Sequence, residues 1–257
     1  MDKPRTALVT GSVTGIGRAV ARALMADGWR VVVHGPELVE SAAAAAELGA
    51  LGSVAGDLAD PTTPGRLVAD AADLAQGLDG LVNNAADTRR TSLDTIDAET
   101  FDRIIAVNVR APLLLIQAAL PHFRAAGEGS VVNVGSVNAH CGQRDLLAYS
   151  ISKGAMTTMT RNLSDTFGPE RIRFNQVNPG WTLTDNEYAL RMAEGFPADW
   201  PERLPAWTAP WGRLLLPEEI AAIVALFMSD RVGPVSGTVL DAHQFPMIGR
   251  NPSKETT

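Results

Sequence analysis

The chain has 257 residues, 46% hydrophobic and 20% charged, with a formal net charge of -7 and a single cysteine, Cys141. An acidic balance without a basic stripe argues against a nucleic-acid surface, and one cysteine excludes an internal disulfide or a cysteine-built metal site, so no metal is expected. No apolar run approaches the ~18 residues of a membrane span; no linker or repeat divides the chain, and Met1 to Arg5 lead straight into a strand pattern, so one cytoplasmic α/β domain without a signal peptide is expected.

Thr6 to Thr10 reads as a short buried strand, followed by the glycine loop Gly11-Ser12-Val13-Thr14-Gly15-Ile16-Gly17 and a helix from Arg18 to the stop at Gly28. In that context a pyrophosphate can rest on backbone N–H groups at a helix start. The spacing G-x-x-x-G-x-G departs from the G-x-G-x-x-G fingerprint and lacks a P-loop lysine. Arg30 to His34 is a second strand, Leu38 to Leu48 an alanine-rich helix, and Ser53 to Ala55 a third strand ending at Gly56-Asp57-Leu58. A helix from about Gly65 to Gln76 and a strand at Gly80 to Val82 precede Asn83-Asn84-Ala85-Ala86. Such alternation predicts right-handed parallel crossovers and a doubly wound sheet of about seven strands. Ligands gather at the carboxyl ends of such strands, where Gly11, Gly35, Asp57 and Asn84 should meet.

Phe101 to Gln117 is a helical pattern that contains Asn108 and is kinked by Pro112. Ser130 to Val134 is a fifth strand with Ser136 just past its end, and a loop carrying Asn138, His140, Gln143 and Arg144 leads to a helix bearing Tyr149 and Lys153. Four positions apart on a helix, the phenol and the ammonium point into one space. A cation within ~4–6 Å favours a phenolate, so Tyr149 becomes a proton-exchanging group near neutral pH. Arg173 to Val177 is a sixth strand closed by Asn178-Pro179-Gly180. The pattern from Trp181 to Trp211 is irregular, Pro217 to Met228 is a helix opened by a proline and two glutamates, and Thr238 to Leu240 is a last strand before a short tail.

With these motifs in this order, the chain resembles the short-chain dehydrogenase/reductase family from about Thr6 to Leu240. The family's T-G-x-x-x-G-x-G matches Thr10 to Gly17, its N-N-A-G matches Asn83 to Ala86, and its catalytic four match Asn108, Ser136, Tyr149 and Lys153. Its P-G-x-x-x-T matches Pro179-Gly180-Trp181-Thr182-Leu183-Thr184. The resemblance implies a Rossmann-like fold and hydride transfer between a nicotinamide and a secondary alcohol. Ser136 would donate to the substrate oxygen, Tyr149 would exchange the proton, Lys153 would lower the phenol's pKa and hold the ribose, and Asn108 would anchor a water. It further implies pyrophosphate contacts from Gly11, Ile16 and Gly17, adenine-edge contacts from Asp57 and Leu58, ribose contacts from Asn84 beside Ala85, and a carboxamide contact from Thr184. Pro179, Gly180 and Thr182 would lie near the nicotinamide. A homotetramer or homodimer, paired through helices that flank the sheet, is implied too.

Cofactor choice is read from the second strand's end, where Gly35-Pro36 supplies neither an acid for NAD nor an arginine for NADP. Thr14 stands where NADP-preferring relatives often carry a base, and Glu37 or His34 is left to meet the ribose, so NAD or NADP is expected with NAD favoured. Two departures from the family are Ala86 for the last glycine of N-N-A-G and a tail, 242–257, that carries His243-Gln244-Phe245 where D-G-G is usual. A substrate lid is expected over 181–215. The polar residues Asn138, His140, Gln143, Arg144, Asn186 and Glu187, with Trp181 as a stacking face, suit a sugar or polyol. The alternatives are an NADPH-dependent carbonyl or 3-oxoacyl reductase and a non-catalytic dinucleotide-binding protein.

Overall fold

The computed structural model describes residues 4–245, so 246–257 of the expected tail lie outside the described residues. Seven parallel strands form one sheet in the order β3-β2-β1-β4-β5-β6-β7. They are β1 (Thr6–Val9), β2 (Arg30–Gly35), β3 (Gly52–Ala55), β4 (Gly80–Asn83), β5 (Gly129–Val134), β6 (Ile172–Pro179) and β7 (Val239–Ala242). The helices are α1 (Gly15–Ala26), α2 (Leu38–Leu48), α3 (Thr63–Ala75), α4 (Ala98–Ile105), α5 (Ala111–Ala126), α6 (Asn138–Cys141), α7 (Leu147–Phe167), α8 (Asp185–Ala193) and α9 (Pro217–Met228).

Successive strand residues point to opposite faces, and each face is covered by helices. Val9, Val82 and Val132 pack with Val20 and Leu24 of α1 and Ile220 and Val224 of α9. Their neighbours Leu8, Leu81 and Val131 pack with Leu67 of α3 and Leu115, Ile116 and Phe123 of α5. Strand order reverses between β1 and β4, which opens a crevice at the carboxyl ends of those strands.

Three differences from expectation have local causes. Pro112 does not merely kink its helix: a π-helical segment, Ala106–Arg110, separates α4 from α5. A proline has no N–H to return to the carbonyl four residues back, so the backbone passes to wider bonding, as in Ala111 N–H to Ala106 O. The continuous helical stretch Ala98–Ala126 is, by length and composition, long and apolar enough to cross a membrane, contrary to expectation; half of its most apolar 18-residue segment is buried inside the fold. Residues 181–211 are also more regular than expected. Thr184 caps α8 by accepting the Glu187 N–H at 3.0 Å, and a 3-10 turn follows at Trp200–Arg203.

Candidate active site

The start of α1 is open. Thr14 is its N-cap but makes no side-chain cap, and the first turn holds no acid. The leading N–H groups are therefore left for an outside acceptor, where the helix dipole favours negative charge. Gly15 reaches this position at φ +54, with Thr184 Cγ2 3.4 Å from where a Cβ would sit. Thr14 and Ile16 flank it, and Asn186 Nδ2 lies 3.5 Å from the Thr14 hydroxyl. Asn186, expected on the substrate, thus sits over the glycine loop, because α8 folds its first turn back on that loop.

Glycine at the next two sites serves contact within the protein. A Cβ on Gly17 would stand 2.2 Å from Gly11 O and 2.4 Å from Asn84 Nδ2, and one on Gly11, at φ +60, would stand 2.8 Å from Ala85 Cα. Asn84 was expected on the adenosine ribose. Its Nδ2 instead donates to Thr10 O and Gly11 O, each at 3.0 Å, while Thr10 Oγ1 accepts the N–H groups of Asn84 and Ala85 at 3.0 and 3.1 Å. The amide locks the glycine loop to the end of β4.

His34 is likewise engaged within the protein. It is buried; Nδ1 accepts the Gly11 N–H at 3.1 Å, and Nε2 faces Gly56 O at 3.1 Å. That pair of partners requires a neutral ring protonated at Nε2. Burial is the main reason its pKa is lowered. The unfolded chain therefore takes up this proton first, and stability falls as pH drops below ~6.5. We expect His34→Gln, a neutral group with one acceptor and one donor, to lose up to ~1.4 kcal/mol less than wild type per unit of acidification in that window, measured by urea midpoints at pH 5 and 7. Parallel acid loss in both proteins would reject this account.

Asp57 closes its own turn by accepting the Ala59 N–H at 2.9 Å and pairs with Arg103 at 3.0 Å, so its exposed carboxylate is held below the usual carboxylate range, first by that backbone bond. Leu58 beside it is buried.

On the other side of the crevice, Lys153 is 1% exposed, donates from Nζ to Val134 O at 2.7 Å, and stands 5.5 Å from the Tyr149 ring centroid. Burial lowers its pKa to about 8. Burial also raises the Tyr149 phenol, while a hydrogen bond with Ser136 works in the opposite sense. The acidified phenol expected from the lysine is therefore not set up in the protein alone. The amine faces the ring and a carbonyl, and desolvation penalises both charged forms.

Asn108 is fully buried in the π-helical segment. Its Oδ1 accepts the Asp87 N–H at 2.7 Å, and its Nδ2 donates to Asp87 O at 2.9 Å and Ser152 Oγ at 3.0 Å. Ser152 Oγ donates to Tyr149 O at 2.6 Å. The amide is a brace between the segment after β4 and α7.

The expected substrate groups divide. Asn138 donates its N–H to Ser136 Oγ at 3.2 Å, and His140 Nε2 lies 2.9 Å from Asp241 Oδ1. Gln143 bonds Asp145, and Arg144 is exposed at the turn beside it. Trp181 is not a free stacking face: it stacks on Trp200 at 5.5 Å and 19°, has the Arg191 guanidinium 5.0 Å from its centroid, and donates Nε1–H to Glu187 at 2.7 Å. Pro179 and Thr182 are buried, and Gly180 is packed by His243, whose ring would lie 2.7 Å from a Cβ there. The sequence reading missed Arg90, which pairs with Asp145 before α7 and with Glu194 after α8 at 2.9 Å. The pair Arg89-Arg90 was visible, but nothing local distinguishes a clamp from a solvated cation.

A family model described as short chain dehydrogenase matches residues 5–195. The chain is 34% identical to cis-4-hydroxycyclohexanecarboxylate dehydrogenase of Sinomonas cyclohexanicum, over 92% of this chain and 94% of that protein. It is similar to a 3-oxoacyl (acyl-carrier-protein) reductase from Agrobacterium tumefaciens C58 with NADP bound, at a TM-score of 0.82 and 29% identity over 92% of each chain. It is likewise similar to a 3-ketoacyl-(acyl-carrier-protein) reductase from Brucella melitensis complexed with NADH, at a TM-score of 0.81 and 28% identity over 93% of this chain and 96% of that one.

Proposed function

The chain belongs to the short-chain dehydrogenase/reductase family and is an oxidoreductase of CH–OH or carbonyl groups that uses NAD(P), and from that premise we propose that it interconverts a polar, hydroxylated secondary alcohol, a sugar or polyol, and the corresponding ketone. The observation that carries the reading is the meeting of Ser136, Tyr149 and Lys153, with the phenol hydrogen-bonded to the serine and the amine over its ring. When bound, the nicotinamide accepts or supplies the hydride. Ser136 donates to the substrate oxygen, and in the oxidising direction Tyr149 takes the hydroxyl proton as the C=O bond forms. The unused N–H groups of α1 fit the pyrophosphate.

The preference for NAD is supported at the end of β2. A Cβ on Gly35 would lie 2.7 Å from Val13 Cγ1 and 2.8 Å from Ser41 Oγ, which leaves no room there for an acid or an arginine. Arg18, whose guanidinium reaches Val13 O, is paired with Glu47. Neither Gly35 nor the paired Arg18 thereby offers a cation to a 2′-phosphate, and the Glu37 that follows would repel one. Support for a sugar or polyol rests on the polar side chains of Asn138 and Arg144 alone, since Trp181 is occupied by Trp200, His140 by Asp241 and Gln143 by Asp145. Reduction of 3-oxoacyl thioesters is the second reading, favoured by the two structural neighbours. Leu113 on α5 and Ile151 on α7, 46% and 48% exposed, support pairing of copies through helices that flank the sheet.

Initial rates over sugars, polyols, cyclic hydroxy acids and a 3-oxoacyl thioester, each with both cofactors, test the proposal. We expect kcat/KM for a hydroxylated alcohol at least ~10-fold above the thioester, roughly 1.4 kcal/mol of transition-state preference, and NAD preferred over NADP. A reversed order selects the acyl reductase, and no turnover with any pair selects a dinucleotide-binding protein without catalysis.

A further inference from the structure

Three polar side chains behind Ser136 have no part in the reaction as drawn. Asn178 of β6 is fully buried, Asp241 lies in β7, and His140 is on α6. Asp241 Oδ1 faces both His140 Nε2 and Asn178 Nδ2 at 2.9 Å. The 3.5 Å between those two nitrogens is the spacing of two donors that converge on one oxygen. Asn178 Oδ1 points the other way and accepts the Ser136 N–H at 3.1 Å and the Gln176 Nε2–H at 2.7 Å.

An amide with donors on its oxygen side and a carboxylate on its nitrogen side has one orientation, because turning it over would set like against like at every contact. Its place is equally narrow. A Cβ on Gly135 would stand 2.0 Å from Asn178 Oδ1 and 2.4 Å from Gln176 Nε2, so only glycine before Ser136 lets the amide in. From His140 the connection returns along α6, where His140 N–H donates to Val137 O at 3.1 Å and Ala139 N–H to Ser136 O at 3.0 Å. Hydrogen bonds thus join Ser136 to Asn178, Asn178 to Asp241 and Asp241 to His140, and the α6 backbone closes the loop back to Ser136. The α6 backbone that His140 ties down also presents the Asn138 N–H to Ser136 Oγ at 3.2 Å, which occupies a lone pair and leaves the serine's proton to be given away.

We propose that Asp241 and His140 are positioning residues: through Asn178 and α6 they hold the Ser136 turn so that its hydroxyl meets the Tyr149 phenol and the substrate oxygen together. This rests on the reaction assigned to Ser136 above. A hydroxyl displaced by about 1 Å loses much of its value to the transition state, up to ~10² in rate.

A double-mutant cycle tests the coupling. Asp241→Ala is expected to lower kcat ~10-fold while cofactor affinity, followed by nucleotide fluorescence, stays within ~2-fold. In a Ser136→Ala background, itself ~10² slower, the same change is expected to cost nothing further. His140→Ala should show the same pattern at ~3-fold, and His140→Gln, whose amide N–H can reach Asp241, should recover it. The His140 arm, an exposed position, carries the cycle if Asp241→Ala does not fold. Losses that multiply in the double variants, or a His140→Gln no better than the alanine variant, would overturn the positioning role and leave Ser136's role standing. Full turnover in Ser136→Ala would instead overturn the proposed reaction.

Discussion

A Tyr149→Phe variant keeps its fold and its nucleotide and loses turnover by at least ~10², the scale of a missing proton-transfer group. The substitution removes one oxygen. The ring stays against the Lys153 amine, 5.5 Å from its centroid, and the amine keeps its bond to Val134 O. What disappears is the proton exchanged with the substrate and the bond to Ser136 that partly offsets the phenol's burial. The pH profile separates this role from a packing role. Burial raises the phenol above its ordinary value, so at neutral pH it is a proton donor, ready for carbonyl reduction. Alcohol oxidation needs the phenolate, so its rate climbs with pH up to the phenol's pKa in the complex. In the phenylalanine variant the residual oxidation rate should be flat across that range. A variant within about threefold of wild type, or one whose rate still climbs with pH, would remove Tyr149 from the chemistry.

Much of the fold was legible because its signals are local. Apolar runs such as Ala7-Leu8-Val9, followed by Thr10-Gly11, and Leu81-Val82, followed by Asn83, declare buried strands, and the structure sends Leu8 and Leu81 to one face and Val9 and Val82 to the other. The order of Gly11, Ser136, Tyr149 and Lys153 along the chain was enough to bring them to one edge, since parallel crossovers place every strand's carboxyl end there. Side-chain partners were not legible, because they depend on distances across the fold. Asn84 is taken up by Thr10 and Gly11, more than seventy residues earlier. His34 meets Gly11 across two strand ends, and Trp181 meets Trp200 only once α8 has turned the chain back. Pro112 located the break before α5 correctly, but a missing N–H permits a kink or a wider helical turn, and neighbouring packing chooses between them. The Asn108 amide shows the same limit: its residue type and position matched the motif, yet its bonds go to Asp87 and Ser152.

Lys153→Met is expected to abolish useful turnover and yet make the unliganded protein more stable at pH 7. The amine is 1% exposed, and burial brings its pKa to about 8 from 10.5. Such a shift means that holding the charged form inside costs about 3 kcal/mol at any pH below 8. Methionine has similar reach without the charge but forfeits the bond to Val134 O, worth ~1 kcal/mol. The balance favours the variant by ~2 kcal/mol, or a melting temperature ~4–8 °C higher for a domain of this size. The sign reverses with alkali. Above about 8 the folded lysine sheds its proton while the unfolded one keeps it until about 10.5, so wild-type stability rises through that window and the variant's lead closes. Turnover moves the other way at neutral pH, falling by ~10² or more, because the ammonium that burdens the empty fold is the charge that would steady a phenolate at Tyr149 once the site is filled. Thermal melts of both proteins at pH 7, 8.5 and 10 decide the matter. A methionine variant that melts below wild type at pH 7, or a gap that does not narrow with pH, would mean that the buried amine is stabilised in the fold and is not held there at a cost.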